Sequence, residues 1–308
     1  MRERLSELLV STASDDEQFL VLSGDHGYSL FDALRSDHPS RFINVGVAEQ
    51  NMIGLAAGLV RTGFRPCVYG LAAFVPIRVL EQIKLDLCFS RLPVILLGDG
   101  AGLVYSTLGV SHQCGEDIAC LRSLPNIAIY SPCDEHELVA CWTEARRSDV
   151  PSYIRLGKAD RPPVHGGSPG DTSPLFTSGH EIRPGDAVVV STGSMVSVCT
   201  DWCRSHGVSC ISVPRLKPFP TGLIALLEPS RHVVVVEEHC RTGGLWSALV
   251  EYREAMRTDG RSSARITSVS LRNEFTHTCG SYQHALSEHD MGDERVRERL
   301  RASVFETA

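Results

Sequence analysis

Residues 46–52 read Gly-Val-Ala-Glu-Gln-Asn-Met. The carboxylate among them, Glu49, stands where an apolar run, Arg41-Phe42-Ile43-Asn44-Val45, gives way to a helix built of Gly, Ala, Ile and Leu. A carboxylate entering an apolar setting is costly unless something binds it. Taken alone, Glu49 reads as a first-turn helix acid, where the helix dipole favours negative charge. A chemical reading needs a ligand that forms a charge-assisted hydrogen bond with it in a dry pocket, where such a bond is strong. Two other groups invite attention. His112, in Gly-Val-Ser-His-Gln, is a residue type that titrates near neutrality and suits proton shuttling. The run Glu237-Glu238-His239, with Gly243-Gly244 close behind, ends a strand-like stretch, where parallel sheets often place a site.

The elements that would position these groups read as alternating strands and helices. Phe19–Ser23, Arg41–Val45, Pro66–Gly70, Val94–Gly98 and Ile127–Ser131 are β-rich apolar runs, whereas Arg78–Phe89 and Glu135–Arg147 carry helical periodicity. That alternation predicts a parallel sheet covered on both faces. Residues Ala159–Pro174 are dense in Pro, Gly and Ser, lack periodicity and read as a linker. Beyond them Asp186–Thr192, Val208–Val213, His232–Glu238 and Arg265–Leu271 resume the strand pattern. The expected organisation is two α/β domains, residues 1–160 and 176–308, joined by a linker over 161–175. In the helix after Glu49, Gly54, Ala56, Ala57 and Gly58 remove side-chain bulk and weaken intrinsic helicity. Such a helix suits close backbone contact, either inside the domain or across a subunit interface.

Composition narrows the possible functions. With 308 residues, 43% of them hydrophobic, the chain can bury two cores. The net charge of −7, with basic and acidic residues interspersed, argues against nucleic acid and anionic membranes as partners. No apolar run approaches the ~20 residues of a membrane span, and the N-terminal Met-Arg-Glu-Arg-Leu reads as an ordinary helix start rather than a secretory leader. The 11 cysteines are scattered without C-x-x-C pairs, which fits neither a zinc site nor a disulfide framework. They read as small buried hydrophobes in a reducing cytoplasm.

Three stretches in order, RFINVGVAEQNMIGLAAGLVRTGFRPCVYGLAAFVPIRVLEQI, LGVSHQCGEDIACLRSLPNIAIYSPCDEHEL and PSYIRLGK, closely resemble the pyrimidine-binding domain of transketolases. STGSMVSVC and VEEHCRTGGLWSAL in the second half resemble the transketolase C-terminal domain. The resemblance implies two doubly wound α/β domains and thiamine diphosphate as cofactor. It gives Glu49 the task of hydrogen-bonding the aminopyrimidine nitrogen N1′, Phe74 that of stacking on the ring, and Asp25 a place beside the cofactor. It puts His112 against the reacting sugar, and Ser29 and Arg155 on the substrate's terminal phosphate; Arg2 matches a further phosphate-site arginine poorly, and His26 receives no role. Full-length transketolases also carry a domain that holds the diphosphate and its Mg²⁺. The resemblance therefore implies a separate diphosphate-binding partner subunit and an α2β2 heterotetramer that moves a two-carbon ketol unit between sugars.

Two features depart from or imitate the family pattern. Leu108 falls where the family has an acid that recognises a donor hydroxyl, and the family's G-P-T-H-Q has become Gly-Val-Ser-His-Gln, so an altered or unusual sugar substrate is expected. Gly98-Asp99-Gly100 with Asn126 imitates the family's Mg²⁺ motif, but it lies inside the pyrimidine-domain match and is not expected to bind metal. Glu237-Glu238-His239 is expected to serve assembly. Alternatives are the β subunit of a 2-oxo acid dehydrogenase or decarboxylase, and a non-catalytic scaffold subunit.

Overall fold

Alternate residues along the central strands face two different layers of apolar side chains. Leu20, Leu22, Val68 and Leu96 belong to one buried cluster, and their neighbours Phe19, Val21, Cys67, Tyr69, Ile95 and Leu97 to another. The period-2 geometry of a strand requires this when both faces are covered. The computed structural model describes residues 1–157, 161–256 and 264–305. The first sheet comprises β1 (Phe19–Ser23), β2 (Phe42–Asn44), β3 (Arg65–Leu71), β4 (Ile95–Asp99), β5 (Ala128–Tyr130), β6 (Ser152–Leu156) and β10 (Arg215–Lys217), in the order β10-β5-β6-β4-β3-β1-β2. The second comprises β7 (Leu175–Ser178), β8 (Ala187–Ser191), β9 (Ser209–Ser212), β11 (His232–Cys240) and β12 (Arg265–Leu271), in the order β12-β11-β8-β9-β7. All pairings are parallel except those of the edge strands β10 and β7.

Helices cover both sheets. The first half carries α1 (Arg2–Asp15), α2 (Asp32–Asp37), α3 (Glu49–Arg61), α4 (Leu80–Gln82), α5 (Asp117–Arg122) and α6 (Glu135–Arg147). The second carries α7 (Val196–His206), α8 (Gly222–Leu227), α9 (Leu245–Met256), α10 (Tyr282–Glu288) and α11 (Asp293–Phe305). The helix expected over Arg78–Phe89 is broken into a 3₁₀ turn (Ile77–Val79), α4 and a π-helical stretch (Ile83–Cys88). No helix among the described residues is long and apolar enough to cross a membrane.

The two halves are not separate bodies. One continuous core unites α3, β1 and β4 with Val188, Val190, Ile211, Val213 and Leu249 of the second half. Strand β10 leaves the second half to pair antiparallel with β5, Arg215 against Tyr130, and Arg215 Nη1 reaches Glu144 of α6 at 2.7 Å. Sequence patterning misses this strand because three residues between Pro214 and Pro218 are too few to establish a period.

The Pro/Gly-rich linker has neither helix nor strand over 161–174; Ala159 and Asp160 lie outside the described residues. It is nonetheless tied down. Asp134 caps α6 through Oδ1, accepting from His136 N and Glu137 N, and holds the linker through Oδ2, accepting from Val164 N and His165 N at 2.9 Å. His165 Nε2 lies 3.0 Å from Glu137 Oε1, and that hydrogen bond raises the histidine's pKa above its ordinary value.

The face of α3 opposite its buried Met52, Ile53, Ala56 and Ala57 is open. A Cβ at Gly54 or Gly58 would meet nothing within 4 Å. The two glycines therefore do not serve packing within the chain, whereas Ala56 and Ala57 do.

These contacts make stability testable in two places. Gly58→Ala should stabilise the isolated chain by about 0.5–1 kcal/mol in urea denaturation, because it removes the helix cost of glycine without a clash. A group whose pKa is raised by folding stabilises below its unfolded pKa, and that gain is lost as pH rises through the folded value. His165→Ala should therefore lower the unfolding midpoint more at pH 6 than at pH 9.

Candidate active site

Glu49 is the first residue of α3 and is 3% exposed. Ala48 before it offers no side-chain cap, so the carboxylate stands at the positive end of the helix. Its Oε2 accepts from Arg78 Nη1 at 3.0 Å. Its Oε1 is buried without a hydrogen-bond partner among the described residues. A buried carboxylate oxygen left this way costs about 1–3 kcal/mol or more, so it marks a place where a donor is expected.

Around Glu49 stands a set of flat rings. The guanidinium carbon of Arg78 lies 3.9 Å from the centroid of the Phe74 ring. Phe74 is also flanked by His112, edge-on at 5.2 Å, and by His26, tilted at 5.8 Å. Burial lowers the pKa of His26, with Glu49 and Asp25 opposing that effect, and its Nε2 is buried without a partner among the described residues. The histidine to which the sequence assigned no role thus sits in the middle of the cluster. Sequence reasoning reads Arg78 only as the start of a helix and not as a site residue; it stands four residues after Phe74 across a turn that contains Pro76.

Two loops carry these groups. The loop after β1 holds Asp25 and Ser29, both at φ +64° and exposed. Asn44 Nδ2 donates to Asp25 Oδ1 and Asn44 Oδ1 accepts from Gly46 N, both at 2.9 Å, which stitches this loop to the turn that enters α3. Arg2 Nη2 donates to Tyr28 O at 2.7 Å and ties α1 to the same loop. A cleft of about 420 Å³ opens beside Asp25, His26, Tyr28 and Asn44. The second loop, residues 102–114, is closed by reciprocal hydrogen bonds between Gly102 and Cys114 and leans on the second half, where Thr276 Oγ1 donates to Gln113 Oε1 at 2.8 Å. His112 is half-buried on this loop, and Leu108 is 53% exposed.

Arg155 requires a correction. Instead of facing a cleft that admits a phosphate, it is 2% exposed and spent within the chain. Its Nε bonds both Asp117 oxygens, at 3.1 and 2.9 Å, and its Nη2 donates to Glu238 O at 2.8 Å. Around it lies the junction of the two halves. Glu238 accepts from Leu103 N at 2.8 Å, from Tyr282 Oη at 2.6 Å and from Ser194 Oγ. Glu237 accepts from Leu245 N and Trp246 N and so caps α9, while burial pushes its pKa up to about 7. His239, its pKa lowered to about 4 by burial, lies 3.8 Å from Asp117.

The Gly98-Asp99-Gly100 tripeptide has a different local logic from its metal-binding look-alike. Asp99 Oδ2 accepts from Tyr69 Oη at 2.7 Å and Tyr105 Oη at 2.9 Å, and a Cβ on either glycine would collide with Tyr153 or Tyr105. Asn126 bonds Arg91 and Cys88 O instead.

A parallel α/β domain in which a buried helix-start carboxylate has one oxygen unpartnered among the described residues, near an aromatic ring, belongs to the class that can take a flat, N–H-edged heterocycle. The particular family follows from comparison with known proteins. Residues 1–163 match the transketolase pyrimidine-binding domain and residues 180–285 the transketolase C-terminal domain, and the chain belongs to the transketolase family. It is 31% identical to the 6-deoxy-6-sulfo-D-fructose transketolase subunit SqwH of Clostridium sp. (strain MSTE9), over 82% of this chain and 80% of that protein. It is 29% identical to one subunit of the apulose-4-phosphate transketolase of Phocaeicola vulgatus, over 81% of this chain and 82% of that protein. Among solved structures it resembles a split gene transketolase described as an inactive β4 tetramer, with a TM-score of 0.84 at 26% identity, covering 98% of this chain and 97% of that one.

Because Arg155 is a buried structural cation, Arg155→Met should cost about 3–5 kcal/mol of unfolding free energy, the expected loss when a buried ion pair is left with one partner. Equilibrium urea denaturation of the isolated chain measures it. An exposed phosphate anchor would instead change stability by less than about 1 kcal/mol.

Proposed function

We propose that this chain is the pyrimidine-binding subunit of a split, thiamine diphosphate-dependent transketolase that transfers a two-carbon ketol unit from a ketose to an aldose. The observation that carries this reading is the buried Oε1 of Glu49, unpartnered among the described residues, with the Phe74 ring one side chain away across Arg78. The residues fit the group: Glu49 offers the acceptor for the aminopyrimidine nitrogen and Phe74 the flat apolar surface. When bound, thiamine diphosphate supplies a nucleophilic carbon and an electron sink, so that a ketose can be cut beside its carbonyl and the two-carbon piece passed on.

The chain's own residues contribute binding, orientation and proton handling. Glu49 fixes the ring's position through a charge-assisted hydrogen bond in a water-poor pocket. His26, whose pKa burial lowers, can exchange a proton with a sugar oxygen. His112 stands across Phe74 and serves the same sugar. Asp25 lies close to the cofactor, and Ser29, on the exposed loop, is a donor for the substrate's terminal group. The partner subunit holds the diphosphate and Mg²⁺, and the open glycine face of α3 supports assembly into a cytoplasmic α2β2 heterotetramer. In this reading residues 1–160 carry the site, 161–175 the linker and 176–308 the supporting domain.

The named relatives act on a sulfonated ketose and on apulose 4-phosphate. The exposed Leu108, in place of an acid, supports a donor that is a sugar phosphate or an unusual sugar of specialised metabolism.

Glu49→Gln in the complex with the diphosphate-binding subunit should lower ketol transfer by at least about 100-fold while the complex still elutes at its assembled size. Unchanged turnover would assign the chain a scaffold role. Turnover of pyruvate in preference to ketoses would assign it to the 2-oxo acid enzymes.

A further inference from the structure

Arg78 occupies the ring on which an aminopyrimidine would stack, and one of the two carboxylate oxygens beside it. Its Nη1 is 3.0 Å from Glu49 Oε2, and its planar guanidinium lies over the Phe74 ring at 3.9 Å. A guanidinium resembles an aminopyrimidine in the features that matter here, being flat, delocalised and edged with N–H donors. Phe74 is 9% exposed, its surroundings being His26, His112 and Arg78, so a second flat group can reach the ring face only by displacing a neighbour. Of the three, Arg78 is the long, flexible one, and its side chain is 44% exposed. The cation that stands in the slot is therefore also the one free to swing out.

We infer that Arg78 is a placeholder for the cofactor's pyrimidine ring. It lies over Phe74 and pairs with Glu49 Oε2 while the half-site is open, and it yields the ring when the pyrimidine enters to bond the other oxygen, Oε1. The inference rests on the function proposed above and adds a device to it. In the separate subunit, Arg78 keeps a buried carboxylate from standing without any counter-charge, which would otherwise be strongly destabilising. On assembly, the cofactor takes Oε1 and the Phe74 ring, and the guanidinium leaves the ring face. Binding then costs the displacement of Arg78 from the ring, so the chain's intrinsic hold on the cofactor is weakened until a partner supplies the remaining contacts.

The test is thiamine diphosphate affinity, measured by titration calorimetry on the reconstituted complex with Mg²⁺ present. Arg78→Gln should bind thiamine diphosphate at least threefold more tightly than the unaltered complex, and Arg78→Lys, which keeps the charge but not the planar stack, should fall between them. A merely structural Arg78 would on removal loosen the site, so equal or weaker binding by Arg78→Gln overturns the inference. In the isolated chain Arg78→Gln should lower the thermal midpoint, and the double variant Glu49→Gln/Arg78→Gln should recover it; failure to recover also overturns it. If the unaltered complex takes up no thiamine diphosphate, both this inference and the proposed function fall. If it binds and Arg78→Gln does not tighten it, this inference alone falls.

Discussion

A carboxylate buried at the start of a helix, with one oxygen paired and the other unpartnered among the described residues, is the constraint around which the first domain is arranged. Glu49 lies at the first turn of α3, and the fold commits several weak devices to keeping it there. The helix dipole favours its charge, Met52 and Ile53 bury the adjoining face, and Asn44 bridges the loop after β1 to the turn before the helix. Each is modest alone. Together they leave the carboxylate little freedom, which is what a group must have if it is to hold a ligand in one orientation.

The second half matters to the site through mechanics rather than through groups of its own. The buried system of Asp117, Arg155 and Glu238 ties β6 and α5 to the end of β11, and Glu238 reaches on to Leu103, where the loop carrying His112 begins. Gln113, next to His112, bonds Thr276. Both ends of the loop are thus anchored on the second half, and β10 closes the edge of the first sheet. A side chain on a loop gains precision when its backbone is fixed at more than one point, and here these points come from distant parts of the chain.

Much of this is legible in the residues alone. The apolar runs of β1, β3, β4, β8 and β11 and the periodicity of α6 stand out because strands covered on both faces and amphipathic helices leave strong local patterns. Glu49 is legible because an acid in an apolar helix start breaks such a pattern. Arg78, His26 and the burial of Arg155 are not, for a shared reason: each depends on which neighbour the fold brings close. Nothing local distinguishes an arginine bound to Asp117, thirty-eight positions away, from one exposed to a phosphate.

The sequence by itself determined the alternation of strands and helices, the two-part organisation and the acid around which a site could form, since each is written in contiguous residue types. Only the tertiary structure decided that one oxygen of Glu49 is taken by Arg78 and the other left unpartnered, that His26 joins the rings around Phe74, and that Arg155 locks the domain junction. The physical reason is range. Backbone preference and hydrophobic period act over a few residues, whereas the pairing of a buried charge is settled by whichever group the completed fold places within about 3 Å of it.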